Sequence, residues 1–458
     1  MFKKTIKIVL LSFAALAVVL GVVLLINAFD DELDPRIAAF AVDGKVAVKE
    51  ADNAYYAAIM LHEDVKLDVP GIHAKGVKWV GAMNAAISSN ALEEKSIAGA
   101  LKGDGLVFKG DIGLIELAPV INAEEQTPGL IRLLRVKGEL KAVIEANRAL
   151  LDRYTALYKY PEYYVALKTT TNAPIVSLGV EQRLAHARIA LMLDAGDRGA
   201  PLRLLTDDVL FWRRALKGSR GYFDRPVIVA AIWRDMVFLN EILNAYNFSS
   251  SELFIIEKSL RPLTEAELDN SSAAVDNFMV GRYAIETFAR GDAGGMPAWK
   301  YYLLRPFFCR NATINTLYRY QAVLAEFAKF EPREQAEALR NRRIPRMYGP
   351  DDKAPVWTMF YNPVGKIVLG SGAQTAAYNR YTMNLEGLVR LTTLRYLMKR
   401  AKVSQGDLQK YVVHAGYDYF DPYTKTEMRW DEEKRVVYFY GMDRFGELAK
   451  RVEVEVRS

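Results

Sequence analysis

The chain has 458 residues, 51% hydrophobic and 25% charged, with a formal net charge of +6. That composition suits packed globular material in two or three domains and excludes extensive intrinsic disorder. Three of the charges sit on Lys3, Lys4 and Lys7, and the remaining +3 is not the balance of a nucleic-acid-binding chain; the single cysteine, Cys309, rules out an internal disulfide.

In chain order, the first element is an uncharged run from Ile8 to Ile26 whose only polar member is Ser12. At about 1.5 Å per residue, a helix of this length spans roughly the 30 Å hydrocarbon core of a bilayer. Lys3, Lys4 and Lys7 precede the run, while Asp30, Asp31, Glu32 and Asp34 follow it. Positive charge stays on the cytoplasmic side, so the body is expected outside the cytoplasm. Ile26-Asn27-Ala28 also resembles a processing site, but the run exceeds the usual length of a signal peptide's apolar region. Residues 1–29 are therefore expected to be a signal anchor.

Residues 30–129 are expected to form a mixed segment, with an amphipathic helix over Glu50–His62 and a glycine-rich stretch beyond it. From Leu130 the pattern becomes helical. Leu133, Val136, Leu140, Val143, Leu150, Tyr154 and Leu157 recur at three- and four-residue steps, which predicts one long helix ending near Pro161. Val180, Leu184, Ala187 and Leu191 mark another helix, and Leu202, Leu205, Val209, Trp212 and Leu216 its return. Val229, Ile232, Met236, Leu239, Leu243 and Tyr246 mark a third. Short turns between them predict antiparallel neighbours. The string IALMLDAGDRGAPLRLLTDDVLFW, residues 189–212, resembles the helix–GD turn–helix unit of tetratricopeptide-type repeats, although the hallmark Trp and Gly of the first repeat helix are missing. The resemblance implies a surface that binds partners.

Two further helices are expected near Ser271–Arg290 and Ala312–Phe330, which completes a helical array over 130–331. Residues 332–355, with four prolines and the basic cluster Arg340, Arg342, Arg343 and Arg346, are the expected linker. In 356–458, a helix carrying Tyr378, Tyr381, Leu385, Leu388, Leu391 and Leu394 precedes a β-hairpin. Its strands are Met428–Trp430 and Val436–Tyr440, and Val452–Arg457 alternates apolar and charged residues as a third strand would. The segment YFDPYTK before the hairpin is similar to C-terminal segments of uncharacterised bacterial envelope proteins, in which a glycine follows the threonine. Here that glycine is absent. The resemblance implies a bacterial origin and no chemistry.

Templates for catalysis are absent: the sequence has no His-Glu-x-x-His, Gly-x-Ser-x-Gly, Ser-x-x-Lys or Walker-type loop. His186, between Arg183 and Arg188, is expected on a charged surface, and Asp207-Asp208 on a solvated helix face. His414 with Asp418 and Asp421 has metal-ligand chemistry, but Gly416 and Pro422 mark a turn in which Asp bonds nearby backbone. No catalytic, cofactor-binding or metal residue is assigned, and no cofactor is expected. Tyrosine and arginine are favoured at interfaces, so Tyr163, Tyr164, Arg340, Arg342, Arg343 and Arg346 are the candidate interaction residues.

The expected protein is mainly α: a single N-terminal transmembrane helix, an antiparallel helical-hairpin array and a small C-terminal β-hairpin module. Its expected role is that of a membrane-anchored scaffold or accessory protein of a bacterial envelope assembly. The body would lie in the periplasm, with envelope proteins as partners and no nucleic acid. The alternative is a hydrolase acting on envelope carbohydrate or peptidoglycan through paired carboxylates.

Overall fold

A computed structural model describes residues 2–41, 48–63, 66–88, 107–109, 115, 129–168, 176–221, 224–291, 296–341, 358, 360–370, 379–443 and 446–456. Among the described residues, 70% are in helix and 6% in strand. In chain order the helices are α1 (Phe2–Asn27), α2 (Arg36–Phe40), α3 (Ala54–Ile59), α4 (Val69–Ser88), α5 (Gly129–Arg135), α6 (Lys137–Ala146), α7 (Arg148–Ala156), α8 (Gly179–Asp194), α9 (Gly199–Gly218), α10 (Asp224–Ala245), α11 (Ser250–Glu257), α12 (Glu265–Leu268), α13 (Ser271–Arg290), α14 (Ala298–Leu304), α15 (Arg310–Phe327), α16 (Pro332–Arg340), α17 (Pro363–Gly370), α18 (Asn379–Arg400) and α19 (Leu408–His414). The strands β1 (Arg429–Asp431), β2 (Val436–Met442) and β3 (Leu448–Glu455) form one antiparallel sheet in sequence order.

α1 is long and apolar enough to cross a membrane over Leu10–Asn27. Its last turn is built into the body. Asn27 is buried, its amide donates to Phe360 O at 2.8 Å, and its Oδ1 accepts from Asn362 N at 2.7 Å. The acidic residues that follow are engaged as well. Asp30 accepts from the first backbone amides of α15, Asn311 N at 2.8 Å and Ala312 N at 3.0 Å, where a carboxylate satisfies orphan donors and the positive end of the helix dipole.

Buried apolar residues form two cores. The larger joins α3 and α4, the helices from α5 to α11, α18 and one face of the sheet. The smaller lies beside the foot of α1 and contains Ile37, Phe278, Ile285, Phe288, Phe308, Ile314, Leu317 and Val364. α18 runs through the larger core and buries residues all round, which fits its packing against both α10 and the sheet.

The hairpins α8–α9 and α9–α10 follow the expected pattern, with Gly196 at φ 94° in the first turn. The helix expected from Leu130 to Leu157 is instead three, α5 to α7. Its second break falls at Asn147, whose side-chain amide donates to Lys109 O at 2.6 Å and Val143 O at 2.7 Å, and whose Oδ1 accepts from Lys109 N at 2.7 Å. An amide side chain that bonds backbone in this way competes with helix continuation, and apolar periodicity does not register it. The helix expected over Glu50–His62 shortens to α3, capped by Asn53, whose Oδ1 accepts from Tyr55 N. Part of the expected linker is helical: α16 buries Pro332, Gln335, Ala336 and Ala338 behind a capping box of Glu331 and Glu334.

At the missing glycine before the sheet, Lys425 adopts φ 56°, the left-handed conformation that favours glycine. Asp421 holds this turn by accepting from Tyr423 N at 2.8 Å, as expected of turn chemistry. His414 is exposed, with Nδ1 2.7 Å from Lys410 O.

Candidate functional site

Two features stand out, a sealed polar cluster and an open cleft, and α9 contributes to both. The cluster forms where α8, α9 and α10 cross. His186, Asp208 and Asp235 are each fully buried, which corrects the expectation that His186 and Asp208 are solvated. His186 Nε2 lies 2.7 Å from Asp235 Oδ1, which also accepts from Gln182 Nε2 at 2.7 Å. Asp208 Oδ1 accepts from the Tyr154 hydroxyl at 2.6 Å, and that hydroxyl accepts from Trp212 Nε1 at 3.0 Å. Arg234 Nε donates to Gln182 Oε1 at 2.8 Å, so one cation reaches the rim of the network.

α8 has neighbours on more than one side, so Gln182, His186, Ile189 and Leu193 line one buried face while Leu184, Ala187 and Ala190 line another. With no dominant apolar stripe, a polar residue beside two arginines reads as surface. The available signal is that 182, 186, 189 and 193 share one face at helical spacing.

Burial sets the charge state of the cluster. It holds the His186 imidazole down to about 4, so the ring is neutral at neutral pH. Burial also pushes the carboxyls of Asp208 and Asp235 well above 3.8, and for Asp208 the neighbouring Asp235 adds to this. The His186–Asp235 contact ties α8 to α10, and the Tyr154 hydroxyl, bonded to Asp208 and Trp212, ties α7 to α9. One atom from each of His186, Asp208 and Asp235 lies within 4.8 Å of the others, a donor set that could take a divalent cation if both carboxyls released their protons.

The signs of linkage are opposite for the two residue types. The raised carboxyls contribute stability that is full below pH 3.8 and is lost as pH rises through their folded values. The His186 contribution is present above 6.5 and is lost as pH falls through about 4. Asp208→Asn keeps an acceptor for Tyr154 and removes one titration. The melting temperature of this variant should gain on the native chain as pH is raised from 4 to 8. A difference independent of pH would mean that Asp208 does not titrate in this way.

The cleft is a cavity of about 450 Å³ lined by Glu162, Tyr164, Lys217, Arg220, Ser271 and Ser272, among others. Tyr164 is half-buried, with the Arg220 guanidinium 5.4 Å from its ring centroid. Its backbone is clamped by Asn53, whose Oδ1 accepts from Tyr164 N at 2.8 Å and whose Nδ2 donates to Tyr164 O at 2.8 Å. Tyr163 is not an exposed interaction residue. It is buried, with its ring 5.9 Å from both Tyr55 and Phe211, and it joins the cleft floor to the aromatic wall of the sealed cluster. Period-two alternation in this extended segment puts the two tyrosines on opposite sides. Arg340 is exposed, 3.9 Å from Glu447. Arg342, Arg343 and Arg346 lie outside the described residues.

A second carboxylate pair adjoins the cleft. A Cβ on Gly221 would meet Asp224 Oδ2 at 2.7 Å and Asp276 Oδ2 at 3.4 Å. Burial and then Asp276 push the Asp224 carboxyl up to about 6. No family model matches this chain, and neither a curated protein nor a solved structure matches it.

Proposed function

We propose that the protein is a single-pass membrane protein of the bacterial envelope that acts by protein–protein interaction. Its body would lie in the periplasm, and the cleft around Tyr164 and Arg220 would be its contact site. The observation that carries this reading is the joint at Asn27. A side chain that satisfies both Phe360 and Asn362 ties the last turn of the apolar helix to the body, so the body is mounted at one orientation rather than tethered. The same joint supports an uncleaved anchor, because a cut after Ala28 would remove Asn27 from the fold. The flanking Lys3, Lys4 and Lys7 support a cytoplasmic N-terminus. Confinement at a membrane raises the effective concentration of a binding surface for partners in the same membrane.

The test has two arms. A reporter active only in the periplasm, fused after Ser458, should be active, and a cytoplasm-only reporter should not. A photo-crosslinking residue replacing Tyr164 should give a discrete adduct in intact cells, and Arg220→Glu should abolish it. A cytoplasmic C-terminus would refute the compartment, and an adduct insensitive to Arg220→Glu would refute the cleft.

The carboxylates Asp224 and Asp276 favour a second reading, a hydrolase of envelope glycans, because a carboxyl held near 6 is suited to general-acid work. Release of soluble fragments from purified peptidoglycan, lost in Asp224→Asn, would establish it in place of the scaffold.

A further inference from the structure

The helix α14 has the sequence AWKYYLL, and none of its seven residues is buried. Trp299 is 64% exposed, Tyr302 73% and Leu303 62%. Tyr301 and Leu304 pack against the smaller core, while Trp299, Tyr302 and Leu303 share the opposite, uncovered face at helical spacing. At roughly 25 cal/mol per Å² of apolar surface, such exposure is disfavoured unless something covers it.

Its position identifies the cover. α14 runs directly into the single turn Arg305–Phe307, which touches the C-terminal end of α1. α17 touches the same turn and presents Ile367, 75% exposed, and Phe360 just before it is also exposed. The Phe360 carbonyl is bonded by Asn27, and Cys309 Sγ lies 3.7 Å from Asn27 O. At about 1.5 Å per residue, the 26 residues of α1 are about 39 Å long, against a hydrocarbon core of roughly 30 Å. Its last turn therefore lies where acyl chains meet headgroups, and the elements packed on that turn share this depth. Tryptophan and tyrosine are enriched there, and lysine stems reach from it to water. Lys300, on α14, places its Nζ 5.5 Å from the Trp299 ring centroid.

We propose that α14, with Phe360 and Ile367 beside it, forms a collar that lies in the lipid interface around the foot of α1. The collar rests on the reading of α1 as a membrane span. It seats the smaller core on the bilayer and sets the tilt at which the rest of the body stands.

The test uses the full chain reconstituted in vesicles of three parts phosphatidylethanolamine to one part phosphatidylglycerol. With Cys309 replaced by Ser, single cysteines placed by Leu16→Cys, Tyr302→Cys, Ile367→Cys and Glu433→Cys carry an environment-sensitive fluorophore. Labels at 302 and 367 should be quenched at least twofold more than the label at 433 by lipid spin-labelled near the headgroup. The label at 16 should respond most to lipid spin-labelled near the chain end. In the chain with its native cysteine, brominated lipid should quench a share of tryptophan fluorescence that Trp299→Phe removes. Quenching at 16 without quenching at 302, 367 or Trp299 overturns the collar and leaves the span intact. Absence of quenching at all four labelled positions overturns both.

Discussion

Arg213→Ala is expected to destabilise the protein by about 3–5 kcal/mol, the usual result of leaving one partner of a buried ion pair behind. Arg213 is buried on α9 and spends every donor. Nε and Nη2 donate to the two oxygens of Glu267 at 2.8 and 2.9 Å. Nη1 donates to Ser259 O at 3.2 Å and Arg261 O at 2.6 Å, and Nη2 also reaches Pro262 O at 2.9 Å. These carbonyls belong to the chain between α11 and α12, so the guanidinium folds that turn onto α9. Burial pushes the Glu267 carboxyl up, but hydrogen bonds from Arg213 and Arg261 outweigh it and hold the group at about 2. Its contribution is therefore present above the ordinary 4.5 and is lost only as pH falls through about 2. Arg213→Lys should recover little, since an ammonium cannot reproduce the fork. The check is thermal and denaturant unfolding of the detergent-solubilised chain; a loss below about 1 kcal/mol would place the pair among weak surface bridges.

Gly218→Ala should have the next largest effect, about 1–3 kcal/mol or more from overpacking. A Cβ at this helix end would stand 1.6 Å from Tyr163 O and 2.7 Å from its carbonyl carbon. The obstacle is backbone, so no rotamer change relieves it. The segment 162–165 must move away from α9, and the wall of the cleft moves with it. Gly81→Ala is the matched control. It lies inside α4 with nothing within 4 Å of the Cβ that alanine would add, and it should stabilise by roughly 0.5–1 kcal/mol through helix propensity. Unfolding midpoints of the two variants should therefore shift in opposite directions. Equal shifts would mean that the segment carrying Tyr163 does not rest on Gly218.

The helices with one clear apolar face were legible because periodicity is a local property. α13 has the expected bounds, α9 and α10 end within two residues of their apolar patterns although they begin three and five residues earlier, and β2 lies where the period changes from helical to alternating. The breaks between α5, α6 and α7 were not legible. Besides Val143 O one turn back, the Asn147 side chain bonds both backbone groups of Lys109, which lies 38 residues away in sequence and so outside any local apolar pattern. For the tyrosine pair, the sequence named both members as exposed, whereas Tyr163 is buried and Tyr164 half-buried. Which of two adjacent side chains faces inward depends on how the strand-like segment meets Gly218 and Asn53.

By itself, the sequence determined the apolar span, because nineteen uncharged residues make a transfer free energy that sums along the chain and needs no tertiary partner. It likewise determined a mainly helical body with a small terminal sheet. Only the tertiary structure decided that His186, Asp208 and Asp235 meet, since they come from three helices whose crossing sets the distances. Only the tertiary structure decided that Asn27 and Asp30 belong to the body and that Trp299 and Tyr302 are left uncovered. Burial of a polar or aromatic side chain depends on what lies across from it in space, and residues 27 and 362 meet only after the intervening chain has folded.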